Sequence, residues 1–269
     1  MLNSYKSYPD WLKDVEKNGY HSYLNNRNFS SIALASDFYS IKNQRWCYAA
    51  SPLEKKHFHY LEFIDDVAGY LDQYPINPEI SLRIAKSLNL RHHSAGKEPA
   101  IVTIDTVVIP SDESENYALS VKTEAEISKR NMLGDRKAQQ NYKRLKEKLL
   151  IEKKSSEDSG ISWFLTTDKD EFYYLYDNLV WMYRGNFIFD SEKQIVDVFV
   201  CEFGNALEKQ DSRINLQSLQ EKVSNNLKIK LDQVKRVFSY ACWKKLISFD
   251  LAVELKPHSM VDKCFFKFN

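Results

Sequence analysis

An aspartate, a serine and a lysine stand close together in the stretch IVTIDTVVIPSDESENYALSVK, residues 101–122. Residues 101–109 are dense in β-branched side chains, 110–116 form a polar turn, and 117–122 are a second short apolar run, a pattern that predicts a β-hairpin. Strand side chains alternate between faces, so Ser120 and Lys122 point to one side, and Asp105 lies inside the partner strand. If Asp105 shares that side, a carboxylate able to hold a divalent cation stands beside an ammonium able to meet a phosphate or a water. That is the chemistry of metal-dependent phosphodiester cleavage. The plainer alternative is a solvated sheet edge, and the motif alone does not separate the two.

The elements around the hairpin decide what else can reach it. Ser51 and Pro52 suit the cap and first position of a helix carrying Leu53, Phe58, Leu61 and Glu62. Glu54 falls in its first turn, where an acid also favours the helix dipole without any catalytic duty. Residues 67–76 read as a strand, and Pro78 with Glu79 opens a helix running to Leu88. His92 and His93 follow in a polar loop, with no acid or cysteine at ligand spacing to make a metal site. Residues 124–154 are strongly charged; within them QQNYKRLKEKLLIEKK predicts a helix whose Tyr142, Leu145, Leu149 and Glu152 form one stripe. An acid ending an apolar stripe faces the sheet. Residues 161–167 read as a strand buried on both faces, with Asp168 capping the helix that follows. Residues 1–50 read as an irregular arm with short helical pieces around 11–16, and Arg45, Trp46 and Tyr48 as an aromatic cluster over a core.

Composition narrows the function classes. The 269 residues carry a net charge of +1, so any affinity for nucleic acid must come from local patches. Cys47, Cys201, Cys242 and Cys264 have no Cys-x-x-Cys spacing, which argues against a zinc site or disulfide framework. With 7 glycines there is no phosphate-binding loop or dinucleotide fingerprint. No signal-type or bilayer-length apolar run occurs, and a soluble, cytoplasmic protein is expected. Composition shifts near residues 185–190. Beyond it, helices at 191–207, 215–223 and 231–246 and a strand at 247–255 read as a winged helix-turn-helix, with Lys235, Arg236, Lys244 and Lys245 as a modest basic face. The expected fold is α/β: an arm (1–50), a mixed sheet flanked by helices (51–184) and a smaller winged-helix-like domain (185–269) for DNA or partner contact.

An acid on a helix, an acid on a strand, Ser-x-Lys on the next strand and an acid on the next helix follow the order of the PD-(D/E)xK nuclease core. The chain more narrowly resembles the TnsA endonuclease subunits of heteromeric bacterial transposases. The resemblance runs through SPLEKKHFHYLEF (51–63), GYLDQYPI (69–76), EPAIVTIDTVVI (98–109), YALSVK (117–122), LLIEKK (149–154), SWFLTTDKDE (162–171) and NLVWMYR (178–184). It implies a restriction-endonuclease-like fold, Mg2+ with Mn2+ as a substitute, Glu54 and Asp105 as metal ligands, Lys122 as the catalytic lysine, and Glu152 as a metal ligand or a support beside the metal. Ser120 departs from the family's usual Gln, and its shorter reach weakens its claim on the metal. Thr123 stands where the family often has Pro. The resemblance further implies cleavage at the 5′ ends of a transposon, alongside a TnsB-like DDE transposase and a TnsC-like ATPase regulator. The competing readings are a non-catalytic DNA- or protein-binding adaptor and a stand-alone restriction-type nuclease.

Overall fold

The computed structural model describes residues 7–25, 34–95, 98–128, 135–168 and 173–269. Part of the charged stretch, including Lys129 and Arg130, lies outside them, as do residues 169–171 of the SWFLTTDKDE segment. The chain divides into two compact units, residues 1–169 and 170–269.

In the first unit, Ser7 caps α1 (Tyr8–Asn18) by accepting from the Asp10 amide. The arm then forms an antiparallel hairpin of β1 (Ser36–Ser40) and β2 (Arg45–Ala49), where an irregular chain was expected. Tyr, Ser and Asn at these positions hide the strand pattern, and the anchors come from elsewhere in the chain. Glu62 accepts from Ser40 Oγ and from the Ile41 and Lys42 amides, and Asp72 accepts from Arg45 Nη1 and the Tyr48 amide, each at 2.6 Å. Arg45 is thereby committed to a partly buried ion pair. Tyr48 is buried, whereas Trp46 is 63% exposed.

Next come α2 (Pro52–Phe63), β3 (Val67–Pro75) and α3 (Pro78–Ser87), then a two-residue ladder of β4 (Ser94–Ala95) and β5 (Glu98–Pro99). The predicted hairpin is β6 (Thr103–Pro110) and β7 (Tyr117–Val121), followed by α4 (Glu124–Ile127), α5 (Arg136–Asp158) and β8 (Ser162–Thr166). The sheet order is β3-β6-β7-β8. Neighbours in β3-β6-β7 are antiparallel, while β7 and β8 are parallel, which requires the crossover that α5 supplies. Ile76, Ala85, Val102, Ile104, Val107, Ala118 and Ile151 form a core joining the sheet to α3 and α5. On α2, Phe58 stacks on Tyr70 of β3 at 5.3 Å.

One expectation fails here. β8 is an edge strand rather than a doubly buried one: the adjacent Phe164 and Leu165, on opposite faces, are 55% and 37% exposed. Asp168 Oδ1 accepts from the Glu124 amide at 2.6 Å, in the first turn of α4, while the residues after Asp168 that it was expected to cap lie outside the described ones. Thr123 caps that helix in a reciprocal capping box with Glu126.

The second unit is helical. It holds α6 (Tyr173–Tyr183), a 3-10 turn (Arg184–Phe187), α7 (Asp190–Lys193), α8 (Val196–Glu208), α9 (Leu216–Leu227) and α10 (Leu231–Trp243). Helix α6, read from the sequence as the close of the nuclease domain, packs here against α10, with Trp181 stacked on Phe238. Gly185 sits so close to the Tyr240 backbone that a Cβ would lie 2.3 Å from its nitrogen. Phe199, Phe203, Phe238, Leu219 and Val234 fill the core. β9 (Ile214–Asn215) pairs with β11 (Met260–Val261), and β10 (Ile247–Ser248) with β12 (Lys267–Phe268). The strand expected over 247–255 ends after Ser248. Asp250 Oδ1 accepts from the Ala252 amide, a turn that overrides the alternation of ISFDLAVEL. Arg236, one of the expected basic-face residues, is held by both carboxylate oxygens of Glu192.

Candidate active site

Glu54 is placed by the start of α2. Ser51 Oγ accepts from the Glu54 amide at 3.2 Å and donates back to Glu54 Oε1 at 3.0 Å. Pro52 fixes the first helical position without wasting a donor. Glu54 Oε2 accepts from the Ala50 amide and from Gln73 Nε2, each at 2.9 Å. The carboxyl is buried. Burial, then the neighbouring Asp105 charge, pushes its pKa up to about 7 against the pull of Lys122 and these hydrogen bonds. The two acids therefore lie within each other's field.

Asp105 belongs to a transverse row of the sheet. The registers Asp72↔Thr106, Tyr74↔Ile104 and Thr106↔Leu119 bring Gln73, Asp105 and Ser120 level on β3, β6 and β7. Asp105 Oδ2 accepts from the Val121 amide at 2.8 Å and from Lys122 Nζ at 2.6 Å. Both bonds use one oxygen, leaving Oδ1 for another ligand. Burial alone would raise the Asp105 pKa, but Lys122, then Lys148 and the two hydrogen bonds, hold it below the usual carboxylate range. Burial likewise works against the Lys122 charge, yet Asp105, Glu152 and Glu54 outweigh it and raise the Lys122 pKa. These carboxylates favour the ammonium form of the lysine.

Ser120 and Glu152 meet on the far side of the row. Ser120 Oγ donates to Glu152 Oε2 at 2.5 Å and accepts from Trp163 Nε1 at 3.0 Å. Glu152 is fully buried on α5, the sheet-facing direction expected of it, and its Oε1 lies 3.1 Å from Lys148 Nζ. The serine hydroxyl thereby ties the strand to the helix carboxylate.

Gln73 and Lys148 were not singled out from the sequence. Gln73 is 1% exposed, has φ of +49° inside a strand, and bridges Glu54 to Thr103, whose Oγ1 donates to Gln73 Oε1 at 3.2 Å. No pattern of residue types announces a left-handed strand residue. Lys148 looks like one more solvated lysine of α5. Its one available signal was the spacing of four to Glu152, which puts both on one helix face. His57, one turn after Glu54, is kept neutral by burial, with a pKa lowered to about 4. His92, of the histidine pair that the sequence left in a polar loop, is pinned through both ring nitrogens by Ser81 Oγ and the His93 carbonyl.

The donor set suits a hard cation. Lys122 and Lys148 keep Asp105 ionised, while burial and the Asp105 charge push Glu54 up to about 7, so a cation shared by the two carboxylates would favour the charged form of both. Among the described residues no three His, Cys, Asp or Glu side chains converge as a self-sufficient metal cluster.

Residues 65–168 match the family model described as TnsA-like endonuclease N terminal. Asp105, Ser120, Lys122 and Glu152 lie within the match, and Glu54 lies ahead of it. The chain is also 26% identical over 165 residues to the transposon Tn7 transposition protein TnsA of Escherichia coli. That similarity covers 61% of this chain and 56% of the Escherichia coli protein.

Proposed function

We propose, from the premise that residues 65–168 are a TnsA-like endonuclease N-terminal domain, that this chain is the metal-dependent DNA endonuclease subunit of a heteromeric transposase. The observation that carries the reading is the convergence of Asp105 and Lys122 at 2.6 Å, in the field of Glu54, inside the matched stretch. The bonds hydrolysed are phosphodiesters at the 5′ ends of the transposon. Its partners are the DNA ends, a TnsB-like DDE transposase and a TnsC-like ATPase, with the helical unit as the surface for DNA or partner contact.

Glu54 and Asp105 would hold Mg2+, with Mn2+ as a substitute; the ion supplies Lewis acidity toward the phosphate and lowers the pKa of a bound water. Lys122, charged and anchored on Asp105, places its ammonium where negative charge builds on the phosphoryl oxygens. Glu152 supports the position from the helix through Ser120 and Lys148. Ser120 acts on Glu152 rather than as a strong ligand of its own.

The test is Asp105→Ala in a reconstituted reaction with the partner transposase and end DNA. Loss of 5′-end nicking with 3′ joining preserved is the expected result. Double-strand excision at the wild-type level by this variant would sink the assignment.

A further inference from the structure

Beside the candidate site, the loop after α3 and the middle of α5 enclose a pocket lined by Arg91, His92, His93, Ser94, Arg144 and Glu147. We infer that this pocket seats one phosphodiester of the DNA strand being cut, on one flank of the scissile bond. The inference rests on the nuclease reading above for the identity of the strand, and on the pocket's own chemistry for the ligand class.

Charge is the first argument. Arg45, Arg83, Arg213 and Arg236 each pair with a carboxylate, whereas Arg91, Arg136, Arg144 and Arg184 make no ion pair with a described residue, and Arg91 and Arg144 share this pocket. Two guanidiniums with no ion-pair partner among the described residues, in one concave site, are a demand for an anion, and their forked donors match phosphate oxygens. Glu147 contributes one negative charge, and among the described residues its ion-pair partner is Lys143 at 3.9 Å. Two arginines and one glutamate leave a single positive charge, which suits a phosphodiester better than a doubly charged terminal phosphate.

Position is the second. Arg144, Lys148 and Glu152 follow one another at intervals of four on one face of α5, so the pocket lies about 12 Å along the helix from Glu152, a distance of a few nucleotides. His93 links the two places. Burial, then the charges of Lys148, His92 and Arg144, lower its pKa against the pull of Glu147, so His93 stands within the field of Arg144 in the pocket and of Lys148 toward the site. Space is the third. The free volume, about 140 Å3, is roughly ten times what one water needs. His92 has both ring nitrogens engaged and shapes the wall.

The experiment uses the full chain and duplex DNA carrying one transposon end, with binding measured as a function of salt in the absence of divalent metal. Arg91→Gln with Arg144→Gln should weaken binding equally for all sequences and make the slope of log affinity against log salt shallower by about 0.9, the value of one phosphate. A methylphosphonate scan of the cut strand should find one position near the scissile bond whose neutralisation weakens wild-type binding and does nothing further in the double variant. An unchanged salt slope in a folded double variant overturns the inference. If the variant does not fold, the scan on the wild-type chain decides: no sensitive position overturns it. Competition by inorganic phosphate without any change in the DNA slope would give the pocket to a free anion and also overturn it. The two readings fail separately. Metal-dependent cleavage with an unchanged slope removes the pocket alone, and a lost slope without cleavage removes the nuclease alone.

Discussion

Glu54 is held in its protonated form further up the pH scale than an exposed glutamate, because burial and Asp105 both oppose its charge. Its folded pKa, about 7, lies above the ordinary 4.5, so its contribution to stability is fully present below pH 4.5 and is lost as pH rises toward 7. Denaturant unfolding of the metal-free chain should show this decline, and Glu54→Gln should flatten it. A decline of equal size in the variant would show that another group is responsible. Asp105 and Lys122 were legible from the sequence because strand alternation and a polar turn almost fix their geometry. Gln73 was not, since its role depends on a backbone angle, and Lys148 was not, since its burial depends on which turn of a charged helix meets the sheet.

At the scale of elements, the N-terminus of α2 is both a helix start and a site component. Ser51→Ala removes the cap of that helix and one donor to Glu54, and should cost about 1 kcal/mol of unfolding free energy. It should also move the Glu54 pKa further up, because the Ser51 bond favours the carboxylate; a carboxylate titration followed by NMR measures that shift, and a downward shift would contradict it. Helices α2 and α5 and the β6-β7 hairpin were readable because caps and periodicity agreed with their tertiary roles. The β1-β2 hairpin was not readable, because Glu62 and Asp72 supply from a distance what its own residues lack. The reverse held at residues 247–255, where alternation promised a strand and Asp250 turned the chain.

At the scale of the whole molecule, a net charge of +1 leaves binding energy to local features, and a cation bound by the native first unit should stabilise it by mass action. Millimolar Mg2+ should therefore raise the thermal midpoint of the wild-type chain and leave that of Asp105→Ala unchanged; equal shifts in both would place the metal elsewhere. Gln73 adds a conflict between durability and work. Its left-handed backbone costs about 1–2 kcal/mol that glycine would not incur, yet glycine has no amide to hold Glu54. Gln73→Gly would relieve that strain but leave a buried void and strip Glu54 and Thr103 of a partner, so its thermal midpoint should fall below that of the wild-type chain; a raised midpoint would show that the strain outweighs the bonds.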